Sequence, residues 1–210
     1  MKPTILLSLL VMAFSTVAVQ AQNFVTNGDF ETGTGDAFWQ TPPWWNAGKA
    51  FNQGTSARTR EGAVIGGSYS ATVNDRWSKT GDVYSASVLY SQKTTRTIAA
   101  GDVFTLSYDW YPVDDFWQKN RDTIRFFLFA TANDKLNGPV VWSSELVSDF
   151  FQGSINTYKS VAQTTPVVNA EAVGKTLFIQ FHGMDTVDGA TGSIHFARVD
   201  NIVVKVLDTK

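Results

Sequence analysis

Aromatic side chains next to polar ones are the chemical feature that recurs most in this sequence. Sugars present C–H faces that stack on Trp and Tyr rings, while their hydroxyls need polar partners at the rim. The residues that combine these properties, and are candidates for ligand contact, are Trp44, Trp45, Trp77, Tyr84, Asp109, Tyr111, Trp117, Gln180 and His182. A packed loop anchor is an equally good interpretation of the four tryptophans. For Gln180 and His182 the alternative is an ordinary solvent-facing or hydrogen-bonded strand position.

Three acidic residues near the ends of the chain form a second candidate site. In a sandwich whose first and last strands are neighbours, Glu31 and Asp200 can approach each other, and unpaired carboxylates there would repel. Such hard oxygen ligands suit Ca²⁺, which takes about six to eight oxygens. Asp29 is a lesser candidate, since alternation puts it on the same face as Glu31. The alternatives are a salt bridge from Glu31 to Arg198, or carboxylates that simply face water.

The sequence contains no recognisable arrangement of catalytic residues. Neither His182 nor His195 lies near a serine in a G-x-S-x-G turn. The adjacent pair Asp114–Asp115 is poorly placed to flank a sugar ring, as glycosidase carboxylates do. The segment 143–146 lacks the Arg of the strand motif found in jelly-roll alginate lyases. We therefore expect no enzymatic activity, and a small polysaccharide lyase or hydrolase is the less favoured alternative.

Composition excludes several further classes of protein. The 210 residues carry 17 Lys+Arg against 19 Asp+Glu, so no basic excess points to nucleic acid or an anionic membrane. The absence of Cys excludes thiol nucleophiles, Cys-ligated metals and disulfides. Hydrophobic residues make up 43% of the chain, which is ample for the core of one domain.

The first residues have the pattern of a secretory signal peptide. Lys2 precedes an apolar run from Ile5 to Val19, and Val19-Gln20-Ala21 supplies small residues for cleavage after Ala21. The run is short for a transmembrane anchor, and no later stretch approaches the roughly twenty apolar residues of a span. We expect residues 1–21 to be removed and the mature chain of a bacterial protein to be secreted, either extracellular or periplasmic.

Short alternating segments predict an all-β fold for the remaining residues, 22–210. Apolar residues from Phe104 to Trp110 alternate with polar ones, and the nearly continuous apolar run 124–131 suits a strand covered on both sides. Similar alternation occurs at 69–73, 177–182 and 202–206. Many short strands separated by turn signals indicate a two-sheet antiparallel β-sandwich of the jelly-roll type.

The tryptophans divide between this core and a long connection. Trp110 continues the apolar series of its strand and Trp142 follows two valines, so both are expected in the core. Residues 32–61 fit no strand template and predict a long aromatic-rich loop, of a kind that often carries function. Trp39 lies within this loop and is left without a role.

Two short motifs lie at the ends of the mature chain. Residues 27–31 read Asn-Gly-Asp-Phe-Glu, and residues 199–202 read Val-Asp-Asn-Ile. Together they resemble the opening and the terminal strand of carbohydrate-binding modules of the galactose-binding-like jelly-roll group. The resemblance implies a galactose-binding-domain-like sandwich. It also implies a structural Ca²⁺ with Glu31 and Asp200 as side-chain ligands, and non-catalytic binding of sugars.

These features predict a secreted, lectin-like carbohydrate-binding protein with a structural calcium site and a polysaccharide or glycan as partner. The alternative is a structural or adhesion protein of the cell surface or extracellular matrix, whose aromatic residues contact another protein. No nucleic acid partner and no membrane span are expected.

Overall fold

The computed structural model describes residues 22–31, 39, 50–53, 70–74, 77–80, 83–86, 89–113, 123–149, 157–184 and 196–207. For residues 50–53, 74, 77–80, 83–86, 89 and 184 it describes the backbone. The predicted signal peptide and most of the predicted loop 32–61 lie outside these residues.

Eleven strands run through the described residues, with one short 3₁₀ turn at Ala170–Ala172. The strands are β1 (Ala50–Gln53), β2 (Ala71–Asn74), β3 (Trp77–Thr80), β4 (Val83–Ala86), β5 (Leu89–Thr97), β6 (Phe104–Pro112), β7 (Thr123–Thr131), β8 (Val140–Val147), β9 (Lys159–Thr164), β10 (Thr176–Met184) and β11 (Phe196–Val206). Within the part of the chain described, no helix has the length and hydropathy that a membrane crossing requires.

Two four-stranded sheets form the body of the fold. The front sheet has the strand order β5-β10-β7-β8, and the back sheet has the order β2-β11-β6-β9. All neighbouring strands within both sheets are antiparallel. A small sheet of order β1-β4-β3 contains a parallel pair, β1 with β4. The predicted two-sheet antiparallel β-sandwich is confirmed.

The core lies between the front and back sheets and is rich in aromatic rings. On β6, Phe104, Leu106, Tyr108 and Trp110 are all buried, as their alternation predicts. Phe181 of β10 occupies the centre, where aromatic rings stack on it at centroid distances of 4.8 Å and 5.0 Å. The expected burial of Trp110 and Trp142 is confirmed, and Trp39 is buried as well.

The opening segment, residues 22–31, ties the two sheets together at one edge. Phe24 donates its N–H to Val204 O of β11 (2.9 Å) and accepts at its own carbonyl from Thr95 N of β5 (3.1 Å). Ile202 N donates to Gly28 O at 2.9 Å. A Cβ at position 28 would lie 2.1 Å from Ile202 O, so only glycine allows the segment to approach the last strand this closely.

Side-chain amides cover the free edge of β8. Gln163 Nε2 donates to Val147 O (2.7 Å), and Asn169 Nδ2 donates to Val141 O (3.0 Å). Asn169 also accepts from Ala172 N through Oδ1 at 3.0 Å, which caps the 3₁₀ turn. Satisfied carbonyls make an edge strand a poorer template for pairing with another chain.

We expect Asn169→Ala to lower the free energy of unfolding by about 1 kcal/mol, because it removes both the cap and the donor to β8. Asn169→Asp retains the capping oxygen but not the donor, so it separates the two roles. Urea unfolding measures stability, and light scattering on storage measures edge-to-edge association. Equal scattering from wild type and both variants would show that this amide does not protect the edge.

Candidate functional site

The outward side of the front sheet carries three rows of paired residues across its four strands. The register gives the rows Lys93–Phe178–Phe129–Ser143, Ser91–Gln180–Phe127–Glu145, and Leu89–His182–Arg125–Val147. We call this surface the front face. It joins Gln180 and His182 from the sequence analysis to charged and aromatic residues from three other strands.

Gln180 and His182 are buried on this face, with 2% exposure each. The solvent-facing interpretation of these positions is therefore wrong. Every side chain from Leu177 to His182 is buried, so the middle of β10 is covered on both sides. Alternation distinguishes the two faces of a strand, but it does not say whether the second one meets water.

His182 is held as a neutral ring with a defined tautomer. Its Nδ1 lies 2.8 Å from Gly183 O. Because a carbonyl only accepts, Nδ1 carries the proton and Nε2 is the acceptor nitrogen. Burial lowers the pKa of His182 from 6.5 to about 4, the Gly183 hydrogen bond opposes this, and the charge of Arg125 adds to it. The ring stacks on Phe127 with centroids 6.0 Å apart.

Arg125 and Glu145 form the more accessible part of the front face. Arg125 Nη1 lies 2.8 Å from Glu145 Oε1, and their side chains are 28% and 42% exposed. Arg125 Nε is buried and has no hydrogen-bond partner in the described structure, and the same holds for the hydroxyl of fully buried Ser91. Buried polar groups normally have partners. These two atoms are exceptions to that rule among the described residues.

An aromatic cluster closes one end of the front face. Phe129 and Phe178 stack with centroids 5.4 Å apart, and Leu136 and Val140 pack against them. The middle of this row is therefore apolar, whereas its two ends, Lys93 and Ser143, are polar and exposed.

The small sheet brings two further candidates towards β10. Trp77 and Tyr84 lie on β3 and β4, and the register pairs Tyr84 with Lys79, two positions from Trp77. The backbone of β4 contacts that of β10. Trp44, Trp45 and Trp117 lie outside the described residues, as do His195 and the pair Asp114–Asp115.

The structure separates Asp109 and Tyr111 from this face. Both lie on the outward side of the back sheet, across the core from Gln180 and His182. Asp109 accepts hydrogen bonds from the Ser160 hydroxyl and from Asn201 Nδ2. Tyr111 packs edge-on against Tyr158 at 4.4 Å and lies beneath the Arg198 guanidinium at 5.8 Å. The nine candidates therefore do not form one site.

Asp200 lies beside Asp109 on the back sheet and is 2% exposed. Its Oδ1 is buried without a hydrogen-bond partner in the described structure. Burial raises the pKa of Asp200 from 3.8 to about 7, the backbone of Asn201 lowers it, and Asp109, Asp29 and Glu31 raise it further by their negative charge. The fold thus brings Asp29 and Glu31 within electrostatic range of Asp200.

A bulge in β11 places these groups. The register shifts between Asp200 and Val203, and Asn201 adopts φ +51°, in the left-handed region. Among the described residues, no three acidic or histidine side chains lie together closely enough to hold a metal ion.

Sequence reasoning missed Arg125, Glu145, Ser91 and Phe127 as members of a site. One signal was present: Arg125 is the lone charge in the apolar run 124–131, and a charged residue in a strand covered on both sides requires a partner. The identity of that partner depends on the β7–β8 register.

No family model and no curated protein matches this sequence. Solved structures with a similar chain course include the enzymatically active domain of tailspike protein 4 from bacteriophage CBA120 (14% identity, TM-score 0.49, 88% of this chain). This chain spans 21% of that one. A proposed sugar-binding protein from Bacteroides thetaiotaomicron is 10% identical, with a TM-score of 0.49 over 89% of this chain and 100% of the other. A family 4 carbohydrate-binding module is 11% identical, with a TM-score of 0.37 over 66% and 84%.

Proposed function

We propose that this protein binds carbohydrate through the front face, as a lectin-like module without catalytic activity. The observation that carries the proposal is the ion pair of Arg125 and Glu145, which lies on the outward side of the front sheet with both side chains partly exposed. The Arg125 guanidinium donates hydrogen bonds, and the Glu145 carboxylate accepts them. Sugar hydroxyls both donate and accept, so they can pair with either group.

The predicted location supports this role. The signal-peptide pattern at residues 1–21 would deliver the protein to the compartment in which polysaccharides are found. We propose that the mature protein is secreted and meets its glycan outside the cytoplasm. Trp77 and Tyr84, on the small sheet near β10, are proposed to extend the contact.

The test compares two variants that each remove one positive charge. Arg125→Met alters the front face, whereas Lys205→Met alters the back sheet. We expect Arg125→Met to weaken retention on insoluble polysaccharide and binding on glycan arrays by about tenfold or more, since a hydrogen bond to a charged group contributes about 1.5–3 kcal/mol. Lys205→Met should bind like wild type.

Three results would contradict this proposal. Equal binding by both variants would remove the front face from the site. Release of an unsaturated uronate product would show a lyase. Concentration-dependent self-association without affinity for any glycan would favour an adhesion role.

A structural Ca²⁺ near Asp200 is a second proposal. The donor chemistry fits in that a buried carboxylate oxygen lacks a partner and three further acids act on it. Asp200 and Glu31 would hold the ion, with Asp29 as a lesser ligand. Since no group of three such side chains gathers among the described residues, backbone carbonyls would supply the remaining oxygens, which Ca²⁺ accepts readily. The ion would neutralise the acids and join the opening segment to the last strand.

A further inference from the structure

We infer that two copies of this chain pair through strand β9, so that their back sheets join into one continuous sheet across a twofold axis. This interaction surface is separate from the front face, and the dimer does not depend on the proposed sugar binding.

Strand β9 forms one edge of the back sheet, and within the described residues it pairs with β6 alone. Thr165 N donates to Phe104 O at 2.9 Å, which makes these two residues a hydrogen-bonded pair. Hydrogen-bonded and non-hydrogen-bonded pairs alternate along an antiparallel ladder. Ser160, Ala162 and Thr164 therefore belong to non-hydrogen-bonded pairs with β6. Their backbone N–H and C=O groups point away from β6, towards the free edge.

The other three edges of the two main sheets are protected in ways that the edge of β9 is not. On β5, Thr95 N donates to Phe24 O at 3.1 Å. On β8, side-chain amides occupy two carbonyls, and β2 is only four residues long. The outward-pointing residues of β9 are small, uncharged and exposed. Within the described part of the chain, no group pairs with their backbone, so this edge can accept another strand.

The edge of β9 is complementary to itself in one register. When two antiparallel copies of β9 pair about Ala162, this residue lies opposite its own copy and Ser160 lies opposite Thr164. Every outward-pointing residue then faces another one, which extends the ladder by three hydrogen-bonded pairs. Pro166 has no N–H and ends the ladder on both sides. The twofold axis through the middle pair makes the contact isologous, as in most homodimers.

The charges near this edge favour a second copy as the occupant. Lys159 is the one charged residue of β9, and in this register it lies opposite Thr165. Its Nζ also lies 4.0 Å from Asp149 Oδ2 of its own chain. Like charges directly opposite each other destabilise paired strands, and this register contains no such pair. A second copy therefore supplies a strand that matches β9 in length, spacing and charge.

Sedimentation of the purified protein over a range of concentrations tests the pairing. We expect a monomer at about 1 µM and a dimer fraction that grows towards about 1 mM, because a single strand pair is a small interface. Ala162→Lys places two ammonium groups next to each other at the axis, so its dimer should dissociate at least about tenfold more readily. Ala170→Lys makes the same change at an exposed residue of the 3₁₀ turn and should dimerise like wild type.

Two sedimentation results would overturn the dimer. One is a wild type that stays monomeric at about 1 mM, which would leave the proposed function standing. The other is equal dimerisation of Ala162→Lys and wild type, which would place the interface elsewhere.

A cysteine variant tests the register itself. The chain has no Cys, so Ala162→Cys carries one thiol, which lies opposite its own copy. Cα atoms of hydrogen-bonded partners are about 5.5 Å apart, a distance that a disulfide spans. Oxidised glutathione accepts the two electrons and two protons that the thiols lose. We expect at least about tenfold more cross-linked dimer from Ala162→Cys than from Ala170→Cys under the same conditions. Equal cross-linking of the two variants would contradict pairing through β9.

Discussion

Asp200→Asn is expected to stabilise the calcium-free protein relative to wild type, and increasingly so as the pH rises from about 4 to about 7. In the unfolded chain this carboxyl loses its proton near its ordinary pKa of 3.8, whereas burial and neighbouring acids keep it protonated to about 7 in the fold. The folded state binds more protons in this window, so raising the pH favours unfolding. An Asn side chain does not ionise, so the variant avoids this loss of stability. The difference in the free energy of unfolding between Asp200→Asn and wild type should reach up to about 4 kcal/mol above pH 7.

Bound Ca²⁺ should counteract the loss of wild-type stability that ionisation of Asp200 causes at higher pH. A bound cation stabilises the ionised carboxylate, so added Ca²⁺ should raise the melting temperature more at pH 8 than at pH 5. EDTA should lower it again. Asp200→Asn should abolish the response, while Asp149→Asn, at a carboxylate that is 93% exposed, should preserve it. A response to Ca²⁺ that survives in Asp200→Asn would place the ion elsewhere. Indifference of the metal-stripped wild type to Ca²⁺ would eliminate the proposed ion.

His182→Gln is expected to stabilise the protein relative to wild type as the pH falls from 6.5 to about 4. The unfolded imidazole takes up a proton below about 6.5, but the buried ring resists protonation until about pH 4. The folded state binds fewer protons in this range, so acidification favours unfolding. This effect lowers the free energy of unfolding of the wild type by up to about 3 kcal/mol near pH 4. Gln does not titrate in this range, so His182→Gln does not show this decrease.

The second histidine of the chain provides the control. His195→Gln removes the only other imidazole, so the difference between the two variants isolates the buried ring. Urea unfolding at several pH values between 4 and 8 measures the effect as the change in stability relative to wild type. A constant offset between His182→Gln and wild type across this range would contradict a buried neutral histidine.

The two groups act in opposite directions over the same pH range. Between about pH 4 and 6.5, acidification stabilises the fold through Asp200, which is more easily protonated when folded, and destabilises it through His182, which is less easily protonated when folded. Their contributions largely cancel in the calcium-free wild type, which should show a flat stability profile there. Each single variant then exposes the effect of the other group. Asp200→Asn becomes labile to acid, and His182→Gln becomes less stable as the pH rises.

The sandwich and most of its core could be predicted from local patterns. Alternation from Phe104 to Trp110 marked the inner face of β6, because successive side chains in a strand point to opposite sides. The apolar run 124–131 marked β7 as a strand covered on both faces for the same reason. These properties belong to a single strand, so the order of residues along it is enough to reveal them.

The candidate site could be predicted only in part. Gln180 and His182 were identified as polar residues on one face of a strand, but their burial follows from what covers that face, which alternation does not encode. Asp109 and Tyr111 have the same local pattern and lie on the opposite side of the molecule. Residue type and alternation do not state which sheet a strand joins.

The sequence by itself determined the fold class, the core tryptophans and the residues able to pair with sugar hydroxyls or a hard cation. Only the tertiary structure decided which of them meet. Arg125 lies beside His182 through the β7–β10 register, and the β7–β8 register places it opposite Val147 and diagonal to its ion-pair partner Glu145. The opening segment packs on β11, and its Asp29 and Glu31 act electrostatically on Asp200. Such contacts join residues far apart in the chain. Their positions follow from strand pairing and sheet packing, which depend on the whole core and not on any local pattern.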